Sequence, residues 1–471
     1  VTQGTSRAAS QEPITVTVGS SESIGNVLKL SEEEAIAQGY TIIKTVEDLQ
    51  NINNDLEGKY ILMSDIDLAS IDNWESIGGS DDYCEAFRGI LDGNGYSIKN
   101  LKQDNTNQYS GLFGQLIGAN VTNLNLVNVD IKGGENVGAL AGHFDSGVID
   151  NVTVTGSVTT NLSKSGSTYA NVGGIAGHVS GYATIKNSTV DATLSGVQVG
   201  GIAGWAYDDW TCETYIENCT TSGTYTGEAV GGIVGYTEGL VLRNVVSSAD
   251  LSGAYGTGGI IGGVGYDDST NTSIEITNAF YNGQITADAD DYYGGIIGGF
   301  YYGDNYDNWQ SIVQINNSFW DTEKSGTTNI AATSGSSSNY PGATGLSTSQ
   351  INSSVFTDAG WSSDIWDVSG NSPVLKTTNY YSLTGATVEG LTADAVVSGY
   401  KNSTAVFSSR DAYVLVETNP TDTVADIMNQ FKSQIEAKGF YFDWSISNGQ
   451  ISVTTDVGSF FFDGPDDNAL V

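Results

Sequence analysis

With two histidines and three cysteines in 471 residues, few chemistries are open to this chain. His143 and His178 are 35 residues apart, and each directly follows a glycine, Gly142 or Gly177. If these are equivalent positions of a repeat, the two imidazoles face one another on adjacent turns. A metal shared between them is then open, while ordinary polar positions are the simpler reading. The chain has no H-E-x-x-H, no G-x-S-x-G and no Cys/His cluster. Cys84, Cys212 and Cys219 are too few and too scattered for a disulfide framework, although Cys212 and Cys219 are close enough in sequence to bridge. Carboxylates are plentiful, as in Asp208-Asp209, Asp267-Asp268 and Asp290-Asp291, and paired carboxylates hydrolyse glycosides. A lyase acting on acidic sugars also needs cations to neutralise its substrate, and the repeats supply only Lys132, Lys164, Lys186 and Arg243. The residues therefore favour a chain that is not an enzyme and needs no cofactor. Calcium stays open as a bound ion, though no acidic segment has the spaced D-x-[DN]-x-[DN]-G loop.

Three runs combine aromatic rings with carboxylates: Tyr207-Asp208-Asp209-Trp210, Tyr266-Asp267-Asp268, and Tyr301-Tyr302 with Asp307 and Trp309. Rings cover the apolar face of a sugar, and oxygens accept its hydroxyl protons. The candidate ligand-binding residues are thus Tyr207, Asp208, Trp210, Tyr266, Asp267, Tyr301, Tyr302, Asp307 and Trp309, with a glycan or host-surface ligand as partner. The simpler alternative is that the rings fold these loops back onto the scaffold.

The scaffold is a repeat. A Gly–apolar–Gly unit closes at Gly114, Gly142, Gly177, Gly204, Gly235, Gly262 and Gly298, with spacings of 28, 35, 27, 31, 27 and 36 residues. A second landmark is an Asn that follows an apolar residue: Asn123, Asn151, Asn187, Asn218, Asn244, Asn278 and Asn317. Each repeat reads as strand, Gly corner, strand, Asn corner, strand. One such turn cannot bury its apolar face alone, but stacked turns share a continuous core and pair rung to rung. Gly suits corners of close approach or positive φ. Asn tolerates turn geometry and reaches the Asn of the next rung. The predicted fold is mainly β, a right-handed parallel β-helix or solenoid with a small α+β C-terminal domain. From closing Gly to landmark Asn the count is 9, 9, 10, 14, 9, 16 and 19. The extra length falls in the fourth, sixth and seventh repeats, at one corner, and it contains the three aromatic–acidic runs.

Expected boundaries are 1–39 for an N-terminal strand and short helix, 40–325 for the solenoid with its cap, 326–383 for a linker and second cap, and 384–471 for the α+β domain. Ser31-x-x-Glu34 is a capping box, and Thr45 to Asn53 reads as a second short helix plugging the open end. Trp361, Trp366 and Val374-Leu375 are expected to pack as the other cap. Val424, Ile427, Met428, Phe431 and Ile435 share a helical face, and a hairpin turning at Asn448-Gly449 follows. Ile14 to Val18 alternates as a strand with no local partner, which predicts that 12–30 joins 384–471 in one discontinuous domain. With 55 acidic and 17 basic side chains the net charge is −38, which excludes nucleic acid and anionic membranes as partners. No run of 18 apolar residues exists, so no helix is expected to insert into a membrane. The start at Val1, without leader or initiator Met, reads as a piece of a longer extracellular protein.

The Gly-[Leu/Ile]-x-Gly units resemble the GLUG motif of bacterial surface proteins. Tyr40 to Leu68 and Phe87 to Tyr96 look like the segment that leads into such repeats, and Ser318-Phe319-Trp320-Asp321-Thr322-Glu323 looks like the usual exit. The resemblance covers about residues 40 to 325. It implies the fold more than the function, since GLUG regions occur in adhesins, in variable regions of flagellins and in accessory parts of proteases. Asp422 to Ile427 and Ser447 to Ile451 resemble a small α+β module of flagellins and related axial proteins. The two resemblances together imply the exposed outer region of a flagellin-like or hook-like filament subunit at the bacterial surface. Such a subunit would be structural, with an adhesive face, and would self-assemble through regions outside this chain. The alternatives are a cell-surface adhesin that recognises glycans and, third, a β-helix enzyme acting on polysaccharides.

Overall fold

The computed structural model describes residues 29–79, 85–162, 170–207, 214–265, 273–287, 292–301, 312–331, 342–363, 365–376, 404–409, 413–417, 424–437, 442–447, 450–455 and 460–463. The chain divides into two compact units, 31–378 and a second made of 1–30 with 379–471. The strand expected at Ile14 to Val18 lies outside the described residues.

The larger unit is mainly β, and its long-range strand pairings are parallel and repeat at the spacing of the glycines. The segment Asn136–Gly138 pairs with Asn171–Gly173, which pairs with Gln198–Gly200, and the series continues through Ala229-Val230-Gly231 and Gly256-Thr257-Gly258 to Tyr292–Gly294. The apolar residues between the glycines, Ile175, Ile202, Ile233, Ile260 and Ile296, are fully buried in one continuous core. Their backbones are tied along the stack: Ile175 N donates to Ile202 O, Ile202 N to Ile233 O and Ile233 N to Ile260 O, at 2.9–3.0 Å. A closing Gly is required by close approach rather than by φ. A Cβ on Gly177 would lie 2.3 Å from the backbone N of Val137, and one on Gly204 would lie 2.5 Å from that of Val172.

The Asn corners have the opposite requirement. All seven landmark Asn residues hold positive φ, from 49° at Asn317 to 56° at Asn278. This left-handed region disfavours most L residues, and Asn tolerates it. The side chains also bond between rungs. The Nδ2 of Asn151 donates to Asn123 Oδ1 at 2.9 Å, that of Asn218 to Asn187 Oδ1 at 3.1 Å, and that of Asn278 to Asn244 Oδ1 at 2.9 Å.

At the leading end, the helix Glu32–Ala37 is N-capped by Ser31 with Glu34 completing the capping box, and Thr45 with Asp48 does the same for Val46–Gln50. Leu49 and Ile52 are fully buried in the core of the larger unit, so this turn covers the end of that core. At the far end Ile351, Phe356, Trp361, Trp366 and Val368 pack with Val246 and Phe280. Leu375 joins them, but Val374 is 62% exposed, because alternation in a two-residue strand sends only one side chain inward. The Ser/Thr/Gly stretch expected to be a loop instead contributes a further rung. Ile330 and Ala331 enter the core, and Ala343–Leu346 pairs parallel with Ser318–Asp321. The core and the open strand edge recruited it despite weak β propensity.

The second unit contains a three-stranded antiparallel sheet of Thr404–Ser409, Tyr413–Glu417 and Phe460–Asp463. It also contains the helix Val424–Ala437 and an antiparallel pair, Phe442–Ser447 with Gln450–Thr455, in which Ser447 faces Gln450. Met428 and Phe431 are buried, as the helical face predicted. The antiparallel pairing agrees with the expected hairpin, whose turn at Asn448-Gly449 lies outside the described residues.

Candidate functional site

The residue directly after each of these closing glycines stands in register with its counterparts on the neighbouring rungs. His143 pairs with both Gln115 and His178, His178 with Trp205, and Trp205 with Tyr236. The rings stack face to face. Centroids of His143 and His178 are 4.7 Å apart at 17°, and those of His178 and Trp205 are 4.5 Å apart at 12°. Tyr109 covers the other face of His143 at 5.4 Å. Burial holds the His143 imidazole down at about 4, partly opposed by Asp145, and burial with the neighbouring His143 holds His178 at about 3. Both rings are therefore neutral near neutral pH. The histidines meet as their spacing implied, but they are not a metal pair. One ion shared by two imidazoles needs converging lone pairs, and rings stacked this close to parallel aim theirs along parallel planes. Among the described residues no group of three or more His, Cys, Asp or Glu side chains could hold a metal ion.

The insertions leave from the corner just beyond this stack. Ala206, ahead of the first, is in register with Val179 and Thr237, and Gly265, ahead of the second, is in register with Tyr301, ahead of the third. The returning strands are also in register: Tyr215 with Thr184 and Val241, and Ile274 with Leu240 and Val313. In the short repeats the same corner is a bend within a continuous strand, with positive φ at Gly118, Ser146-Gly147 and Gly181. All three insertions thus start and finish on one edge of the stack. Thr214 Oγ1 closes the neck of the first by donating to Tyr207 O at 3.2 Å and Gly181 O at 3.1 Å.

Of the candidate ligand residues, Tyr207 is half-buried with its ring 6.1 Å from that of Trp205, and Tyr301 ends the strand Ile297–Tyr301. Asp208, Trp210, Tyr266, Asp267, Tyr302, Asp307 and Trp309 lie outside the described residues. Two further aromatics stand at this corner and were not singled out from sequence. Tyr182 is 62% exposed, and Tyr215 lies under the Arg243 guanidinium at 5.6 Å. Arg243 also reaches Glu217 at 3.5 Å and Glu275 at 3.8 Å. The available signal for Tyr182 was its place directly after Gly181 in the turn. Cys219 is a free, buried thiol pushed up to about 12 by desolvation, and Cys212 lies outside the described residues.

Comparison with known proteins gives two family matches. The model described as the M26 IgA1-specific metallo-endopeptidase N-terminal region matches residues 36–156, and the GLUG motif matches residues 168–195. Halomucin of Haloquadratum walsbyi is 39% identical over 132 residues, which is 25% of this chain and 1% of that protein. A candidate Gly-rich membrane protein of Evansella cellulosilytica is 42% identical over 126 residues, 24% of this chain and 14% of that protein. The chain therefore spans a small fraction of these relatives. A crystal structure of a candidate immunoglobulin A1 protease from Bacteroides ovatus is 19% identical, with a TM-score of 0.46, covering 74% of this chain and 94% of that one. The GLUG resemblance stands. The assignment to a flagellin-like or hook-like filament does not, because the family match points to a protease N-terminal region. The flagellin resemblance rested on one helix and one hairpin, a combination that many folds use.

Proposed function

We propose that this chain is a non-catalytic region of an extracellular or cell-surface protein of the M26 protease kind, and that it presents its insertion corner to the macromolecule the protein acts on. The match of residues 36–156 to the N-terminal region of those endopeptidases carries this reading. The sequence agrees with it. Without an H-E-x-x-H motif, and with its two histidines locked ring to ring, the chain has no evident means of assembling a zinc protease site of that type. The three insertions add loops on one edge of a rigid scaffold, where repeat proteins place their binding residues. Tyr207, Asp208, Trp210, Tyr266, Asp267, Tyr301, Tyr302, Asp307 and Trp309 are the proposed contact residues, joined by the exposed Tyr182. In this reading the parallel rungs wind as a right-handed β-helix, the hand that parallel crossovers adopt by default.

The test offers immunoglobulin A1 to the purified chain, with and without added zinc. Binding without cleavage, weakened in Trp210→Ala and Trp309→Ala, is the expected result. Cleavage by the chain alone would overturn the non-catalytic assignment, and binding unchanged in both variants would overturn the corner.

A further inference from the structure

We propose that the stack of His143, His178 and Trp205 is an acid-sensitive clasp: when an imidazole takes up a proton from solvent, the rings separate and these three rungs loosen ahead of the rest of the core. The proposal does not depend on what the insertion corner binds.

The geometry leaves little room for a charge. His143 is 1% exposed and has a ring on each face, Tyr109 at 5.4 Å and His178 at 4.7 Å. His178 is enclosed in turn between His143 and Trp205, and among the described residues its Nε2 has no hydrogen-bond partner. A proton on the buried His143 ring, or on the buried Nε2 of the half-buried His178, must be held away from water, and a second proton would lie one ring spacing from the first. Among the described residues, Asp145 is the carboxylate that favours a charge on this pair. It stands on the strand of His143 and already accepts the Ser146 hydroxyl at 3.0 Å. The neighbouring strands bring Tyr109, Gln115, Ser180 and Trp205, all uncharged in mild acid. The Ser180 hydroxyl lies 3.1 Å from His143 Nε2. A cation over the Trp205 face gains some attraction, but that face is available to His178 alone. Burial depresses both imidazoles, to about 4 and about 3, consistent with a net cost of protonation.

The loosening should be local. Rungs of a solenoid couple mainly to their neighbours. Along this ladder the imidazoles occupy two adjacent positions, with Gln115 before them and Tyr236 and Gly263 beyond Trp205. Trp205 is two residues before Tyr207, whose carbonyl forms the neck of the first insertion. Release of the stack therefore acts directly on that loop.

Hydrogen exchange on the whole chain at about pH 7 and about pH 4.5, corrected for intrinsic rates, tests this. Amides of 141–145, 176–180 and 203–207 should lose protection by at least about tenfold, while those of 274–280 hold. In a His143→Gln, His178→Gln double variant the pH dependence should disappear, since Gln115 shows that Gln fits this ladder. Loss spread evenly over all rungs, no loss, or the same loss in the double variant would overturn the proposal. If that variant does not fold, carbon-13 NMR of the wild-type imidazoles decides: titration well below about 6.5 supports the clasp, and titration near it overturns it.

Discussion

The two kinds of corner in this stack of parallel strands respond to sequence change in opposite ways. At the Asn corner the backbone holds positive φ in every repeat, and side-chain amides bond from one rung to the next. A residue inserted there would break the register on both sides, and the flanking strands remain aligned across it, as with Glu217 opposite Arg243 and Cys219 opposite Val245. At the corner beyond the ring stack, the short repeats turn on a local Gly or Ser-Gly without a comparable ladder. Isolated contacts cross between rungs there, such as Tyr182 N donating to Ser146 Oγ at 3.2 Å and Thr214 Oγ1 to Gly181 O at 3.1 Å, but no repeating side-chain ladder fixes the length. A corner tied rung to rung holds its length, and a less tied one accepts insertions.

The largest test removes the support both corners share. Ile233 is fully buried between Gly232 and Val234, so Ile233→Asp places an unpaired charge in the core. It should cost roughly 4 kcal/mol or more and unfold adjacent rungs together, as read by chemical denaturation. A loss of only about 0.5 kcal/mol would place this residue outside the core.

Acid should give the next largest effect. Both histidines have depressed folded values, so the unfolded chain binds more protons between about 6.5 and about 4, and stability falls as pH falls through that window. From about pH 6.5 to about pH 4.5 the wild type should lose roughly 3 kcal/mol more than the His143→Gln, His178→Gln variant. Equal slopes in denaturation curves would refute this.

Asn187 tests the tied corner itself. It sits at φ 52°, donates to Asp150 Oδ1 at 2.9 Å and accepts from Asn218 at 3.1 Å. Asn187→Ala should cost about 2 kcal/mol through strain and lost hydrogen bonds, and Asn187→Gly about 1 kcal/mol, since Gly relieves the strain alone. Identical losses would mean that φ is not what selects Asn.

The smallest effect should come from the untied corner. Replacing 207–213 with the Ser-Gly-Tyr turn used at 180–182 joins the same stacked positions, and should change stability by no more than about 0.5 kcal/mol. A larger loss would show that the insertion supports the scaffold.

Where one residue type answers one physical demand, the fold was legible in the sequence. Positive φ selected Asn, close approach selected Gly, and an apolar pair between glycines marked the core. The histidine pairing followed from equal offsets within the repeat. Trp205 escaped notice although it shares that offset, because a search by chemical type separates an indole from an imidazole. The rung at Ile330 and Ala343–Leu346 was hidden in a Ser/Thr/Gly stretch whose strand is imposed by its neighbours rather than by propensity. Function was least legible. The same rungs serve many parent proteins, and most of the residues proposed to contact a target lie in insertions whose sequence says little about their shape.

The parallel register also makes the stack of strands a ruler. Neighbouring strands are about 4.8 Å apart, so each added repeat lengthens the stack by about that distance. Because the closing-Gly and Asn corners recur in register, duplication or loss of a repeat would move the insertions along the axis while leaving them on the same edge. The position of the insertions along the stack can therefore change in small, fixed steps without redesigning the core.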